Sequence, residues 1–163
     1  EEVEQILSVA PSLYYKALWA LMAYAGLRFN EARTLRISNI NNGLITIING
    51  KGGKNAEVPI SNKLEPIIAP LLQNTGELLI PKDSVPKRSD KAILHLKIAV
   101  KTLGLNGEIS HHKLRHSFAS ELLRKGVNPR TVQELMRHSS IDTLFDYYAH
   151  ILRSDLADAV NKI

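Results

Sequence analysis

The sequence contains no cysteine. That absence excludes disulfides, thiol catalysis and the cysteine-rich zinc frameworks, and it fits an intracellular location. No run approaches the ~20 consecutive apolar residues of a membrane span. The opening Glu1-Glu2-Val3-Glu4 is the opposite of a signal peptide's basic start. Internal repeats and low-complexity segments are missing too. The expectation is therefore a soluble protein, and because the chain opens without methionine and enters a helical pattern at once, a domain of a longer chain.

What is present suits one folded unit. A length of 163 residues with 44% hydrophobic residues supports a single domain with a real core. Lys and Arg number 21 against 16 Asp and Glu, a formal charge of +5, with a pI near 9.5. Such a balance favours contact with a polyanion, although a solvated basic surface chosen for solubility gives the same count.

Apolar residues at Leu13, Ala17, Leu18, Leu21 and Met22 recur at helical spacing, and Gly26 ends the pattern, as glycine commonly does at a helix C-terminus. A second short helix is expected from about Asn30, able to cap it, to Leu35, which puts Arg28 in the elbow between two helices. Leu44 to Asn49 and Glu57 to Ile60 read as strands. The glycine-rich Gly50-Lys51-Gly52-Gly53-Lys54-Asn55 between them suits a hairpin with two lysines near its tip. A helix over 62–73, a short strand over 78–80 and a basic loop over 81–89 follow.

Helical periodicity returns over 90–103, ending before Gly104, and resumes after Ser110, a good N-cap. Leu114, Phe118 and Leu122 form a stripe on that helix, which Gly126 closes. Asn128-Pro129 opens a further helix through Met136, with proline in the first turn. Two more helical pieces fit 142–149 and 154–162. The fold class is mainly α with a small antiparallel β-sheet, an α+β arrangement.

His112 and Arg115 stand three apart on a helix, so their side chains leave adjacent parts of one face. Arginine grips two phosphate oxygens at once and histidine passes a proton near neutral pH, yet an H-x-x-R alone is a weak signal. It is the company that matters. His112-Lys113-Leu114-Arg115-His116-Ser117-Phe118-Ala119 is followed by Leu135-Met136-Arg137-His138-Ser139-Ser140 and then by Asp146-Tyr147-Tyr148-Ala149-His150. Upstream, in order, stand Ala25-Gly26-Leu27-Arg28-Phe29-Asn30-Glu31 and the lysine-bearing turn.

In these motifs, over nearly its whole length, the chain resembles the catalytic domain of the tyrosine recombinases, the family of phage integrases and Xer-type recombinases. The resemblance implies a site-specific DNA recombinase that cleaves and rejoins strands through a 3′-phosphotyrosyl intermediate, with no cofactor, metal or ATP. It implies Arg28 and Arg115 as the paired arginines, Glu31 as the acid beside the first, Lys51 as the hairpin lysine, and His112 and His138 as the histidines. Arg137 stands where the family usually has glycine, which points to a narrower turn or an added DNA contact. For the nucleophile, Tyr147 lies nine residues after His138 and Tyr148 ten; the family's Tyr-x-His pattern, completed by His150, favours Tyr148.

The chemistry these residues would serve can be stated independently. An attacking phenol has a pKa near 10 and needs a base or positive field to lose its proton; His112 is the candidate acceptor. Charge gathering on nonbridging oxygens suits the two guanidinium forks. Lys51 would protonate the departing 5′ oxygen, with Lys54 as its rival in the same turn.

Alternatives stay open. Glu31 either forms a plain helical ion pair with Arg28 or orients it. His111 and His116 read as surface or supporting residues, and His150 as support for the tyrosine segment. The i, i+4 pair His112 and His116 suits a metal-dependent nuclease; a non-catalytic DNA-binding module and a type IB topoisomerase are further readings.

Partners implied by the resemblance are double-stranded DNA, a tetramer of the chain on that DNA, and accessory DNA-bending or regulatory proteins, with no membrane, in the cytoplasm and nucleoid of a prokaryotic or archaeal host, the gene being viral, plasmid-borne or the host's own. It also implies a separate N-terminal DNA-clamping domain, for which 163 residues leave no room. Residues 154–163, with Leu156, Ala159, Val160 and Ile163 apolar, suit a docking helix for a neighbouring copy or for their own domain.

Overall fold

The computed structural model of the chain describes residues 2–48, 55–105, 108–137 and 149. Helices α1 (Glu2–Ser8), α2 (Leu13–Ala25) and α3 (Phe29–Arg33) come first. Strands β1 (Ile40–Asn41), β2 (Leu44–Ile47) and β3 (Ala56–Pro59) follow, then α4 (Glu65–Ile68), α5 (Ser89–Thr102), α6 (His111–Arg124) and α7 (Pro129–Met136).

Helix α2 is the centre of the molecule. Ser12 caps it, its side chain accepting from the Tyr15 N–H, and Gly26 ends it in the left-handed conformation at φ 62°. Ala17 through Met22 are almost wholly buried all round the helix, so α2 is a core helix rather than an amphipathic one. Helix α6 is its main packing partner. Ser110 caps α6 by accepting from the Lys113 N–H, and Asn128 caps α7 by accepting from the Arg130 N–H, with Pro129 in the first turn. These boundaries agree with the sequence because caps are local chemistry.

The strands form an antiparallel sheet in the order β1-β2-β3. Leu44 pairs with Pro59 and Ile47 with Ala56, and Pro59 is tolerated because β3 is an edge strand. Ile45, Ile47 and Val58 are buried against the main core. The hairpin tip at 49–54, the expected helices at 142–149 (apart from residue 149) and 154–162, and the C-terminal docking segment lie outside the described residues.

Three expectations are corrected. The helix expected over 62–73 is α4 followed by a 3-10 turn, Ala69–Gln73, because Pro70 has no N–H for the carbonyl of Pro66 and its ring clashes there. The expected strand over 78–80 is a single bridge between Arg36 and Leu78. Asn30 does not cap α3; the helix begins at Phe29 with Arg28 in the capping position, and the Asn30 carbonyl accepts from Thr34 Oγ1.

The apolar stripe of α6 is divided between two clusters. Leu114 belongs to the main core. Phe118 and Leu122 are half-buried against a smaller cluster, Ala119, Leu123, Val132 and Met136, which joins α6 to α7.

Candidate active site

The site forms where α2 ends, α3 begins and α7 ends. Helix ends leave carbonyls without intrahelical donors, and here arginines supply them. Arg115, three residues past His112 on α6, is buried at 3% exposure. Its Nη1 donates to the Gly26 carbonyl at 2.8 Å, and its Nη2 donates to the Met136 carbonyl. Arg28 is far more open, with a side chain 45% exposed. Its Nη2 donates to the Arg137 carbonyl at 3.1 Å. The negative ends of two helix dipoles thus face guanidinium groups, the favourable sense of that interaction.

Glu31 binds the set together. Its Oε1 accepts from Arg28 Nη1 at 2.8 Å and its Oε2 from the Arg28 backbone N–H at 2.7 Å. The same Oε2 lies 2.7 Å from Arg137 Nη2 and 3.8 Å from Arg115 Nη1. Burial works to raise the Glu31 carboxyl, but the Arg28 N–H, the Arg137 charge and the Arg28 guanidinium outweigh it, leaving the group below its ordinary value. Glu31 is therefore more than a helical ion pair: it is the common anion of three arginines.

Arg137 differs from expectation. It caps α7 with φ 54° and ψ 41°, the left-handed conformation that the usual glycine would adopt without cost. Its side chain, 7% exposed, turns inward, Nη1 to the Leu135 carbonyl at 2.8 Å and Nη2 to the Gly26 carbonyl at 3.0 Å. The guanidinium is thus engaged with groups of the fold itself. Burial lowers its pKa while Glu31 raises it, the net being downward; a guanidinium stays charged nonetheless.

His112 is exposed in the first turn of α6. Its neighbour His111, read as a surface or supporting residue, is in fact buried at 3% exposure. His111 Nδ1 is 2.8 Å from Ser89 Oγ at the start of α5, and its ring lies 4.6 Å from that of Phe29, the residue after Arg28. Burial, and secondarily the charge of His112, pushes its pKa down to about 4. The signal was in the sequence: His111 lies three before Leu114 and seven before Phe118, on the buried stripe. His116 is half-buried, and its pKa is lowered by burial and then by His112 and Arg115.

The structure therefore brings Arg28, Glu31 and Arg115 together from opposite halves of the chain. Lys51, Lys54, His138, Tyr147, Tyr148 and His150 lie outside the described residues. Among the described residues, no three His, Asp or Glu side chains gather as a metal site, and no helix is long and apolar enough to cross a membrane.

Residues 1–154 match the Phage integrase family. Tyrosine recombinase XerA of Pyrococcus horikoshii is 34% identical over 171 residues, an alignment covering 99% of this chain and 59% of the relative. The chain thus spans about three fifths of that protein's length. The crystal structure of XerA recombinase superposes with a TM-score of 0.82 at 23% identity, covering 97% of this chain and 62% of that one, and so shares the fold. XerH site-specific recombinase, bound to its palindromic difH substrate in a post-cleavage complex, superposes with a TM-score of 0.73 at 26% identity, covering 99% of this chain and 50% of that one.

Proposed function

The chain belongs to the phage integrase family, and on that footing we propose that it is the catalytic domain of a site-specific DNA recombinase, cleaving and rejoining strands through a 3′-phosphotyrosyl intermediate. The observation that carries this reading is the convergence of Arg28 and Arg115 on Glu31, two fixed guanidinium groups on one acid, the electrostatics an in-line attack at phosphorus requires.

In the proposed step the Tyr148 oxygen attacks the scissile phosphorus. The Oη–P bond forms, the bond from phosphorus to the 5′ oxygen breaks, and the energy of the diester is retained in the phosphotyrosyl link. The phenolic proton passes to His112, exposed and able to meet DNA. The leaving 5′ oxygen takes a proton from Lys51. Arg28 and Arg115 hold the nonbridging oxygens, and His138 adds a hydrogen bond. Reversal by the 5′ hydroxyl of a partner strand completes exchange. Arginine and lysine charge fills the role that a divalent ion takes in many phosphoryl-transfer sites.

The proposed partner is double-stranded DNA, for which the net charge of +5 is suited. Exchange between two duplexes calls for four copies of the chain on the DNA.

A nicked suicide duplex, from which the cleaved fragment diffuses away, tests the assignment. Wild type and Tyr147→Phe should trap a covalent adduct visible as a shifted band on a denaturing gel, and Tyr148→Phe should not. An adduct lost only in Tyr147→Phe would move the nucleophile by one residue; no adduct from wild type would remove the reading.

A further inference from the structure

Arginine is an unexpected residue at the end of α7. A left-handed helix cap is served by glycine or asparagine, and a Cβ at φ 54° is disfavoured. Arg137 is nevertheless not a loose surface side chain. Both ends of its fork are engaged, one on Leu135 two residues back, the other on Gly26 and Glu31, more than a hundred positions away in sequence.

Its bonds close a ring with Arg28. The Arg137 guanidinium holds Glu31 Oε2 at 2.7 Å. Glu31 Oε1 accepts from Arg28 Nη1 at 2.8 Å. Arg28 Nη2 then returns to the Arg137 carbonyl at 3.1 Å. Two terminal nitrogens of Arg28 are thus placed by groups that Arg137 governs, one through its side chain and one through its backbone. The second arginine is tied to the same point, because Arg115 Nη1 and Arg137 Nη2 share the Gly26 carbonyl, at 2.8 and 3.0 Å.

The charge balance has the same sense. Glu31 carries one negative charge among three guanidinium groups, and Arg137 makes one of its two shortest side-chain contacts while being nearly buried. Whatever share of that anion Arg137 satisfies is not drawn from Arg28 and Arg115. Their positive potential is correspondingly larger at the open side, where Arg28 is 45% exposed.

We propose that Arg137 is a positioning residue for the phosphate clamp. It holds Glu31 and the Gly26 carbonyl through its guanidinium and Arg28 through its own carbonyl, so that Arg28 and Arg115 meet the scissile phosphodiester in one fixed arrangement. It touches no reacting atom. The inference rests on the proposed strand-cleavage function and adds to it a residue at which this chain departs from the family's glycine.

Arg137→Gly is the informative variant, since glycine keeps the left-handed backbone while deleting the ion pair. Single-turnover adduct formation on the nicked duplex should slow about 10-fold at saturating DNA, with duplex affinity altered less than about threefold, as expected when geometry rather than binding is lost. Arg137→Lys, a point charge without the fork, should recover part of that rate. In a Glu31→Gln background, Arg137→Gly should cost less than about threefold more, because the two act as a unit. On a duplex with a neutral methylphosphonate at the scissile position, the difference between wild type and Arg137→Gly should shrink, since little charge is left for the clamp to meet. A fold or packing defect would slow both substrates and both backgrounds alike. An unslowed Arg137→Gly, or the same loss in every background and substrate, would overturn the inference while leaving the recombinase reading intact; wild type that forms no adduct would remove both.

Discussion

Arg115 Nη1 donates at 2.8 Å to the carbonyl oxygen of Gly26, 89 positions earlier in the chain. The bond joins α6 to the end of α2, and it fixes one guanidinium against the helix end that also leads into Arg28. The backbone of Gly26 is thus part of the site, although glycine has no side chain to offer.

Gly26 should tolerate no substitution. A Cβ there would lie 2.6 Å from Phe118 Cδ1 and 3.2 Å from Met136 Sδ, at φ +62°. The left-handed penalty of about 1–2 kcal/mol adds to an overpacking cost of about 1–3 kcal/mol. Gly26→Ala is expected to lower the urea midpoint accordingly, and Gly26→Ala with Phe118→Ala should not recover it fully, since the backbone strain persists. An unchanged midpoint in the single variant would contradict the packing described.

Glu31→Gln keeps volume and an acceptor for the Arg28 N–H but removes the anion that the three guanidinium groups share. Breaking one member of a largely buried ionic set is costly, and a loss of about 2–3 kcal/mol is expected in chemical denaturation. Glu31→Asp should be intermediate, being too short to hold Arg28 and Arg137 together. Stability equal to wild type in Glu31→Gln would mean that the carboxylate's charge is not structural.

His111 predicts an acid sensitivity whose sign follows from burial. Its pKa stands at about 4 in the fold against an ordinary 6.5, so the folded state prefers the neutral ring. The stability it lends is complete above pH 6.5 and is lost as pH falls toward about 4, by at most about 3 kcal/mol. Glu31, held below its ordinary 4.5, keeps its charge through the upper part of this window. His116, also lowered, contributes in the same direction. Denaturation midpoints of wild type should therefore drop between pH 6.5 and 4.5 more than those of His111→Phe, which retains a ring against Phe29 and does not titrate. Parallel pH profiles would show that His111 is not buried as described.

Salt and chelator separate the readings of the basic surface and of the His112 and His116 pair. Duplex affinity should fall about 30-fold or more between 50 and 200 mM salt if three or more phosphates are neutralised. Adduct formation should be unaffected by EDTA. An affinity insensitive to salt would argue against phosphate contacts, and a requirement for a divalent ion would favour the metal-dependent nuclease.

Sequence alone determined the parts of this protein that depend on neighbours a few residues away. Ser110 and Asn128 cap helices with their own side chains, Gly26 supplies a left-handed turn, and the period of apolar residues marks α2, α5 and α6. The family motifs named Arg28, Glu31 and Arg115 for the same reason, as fixed spacings around short turns. Tertiary structure decided what those spacings cannot carry. That Arg137 meets Glu31 depends on α7 ending beside α2, and which groups surround the buried His111 ring depends on Phe29 and Ser89 arriving from two other elements. A cap is satisfied within one turn of chain. A buried guanidinium or imidazole is satisfied only by groups that the whole fold brings within about 3 Å, and no local pattern records which groups those will be.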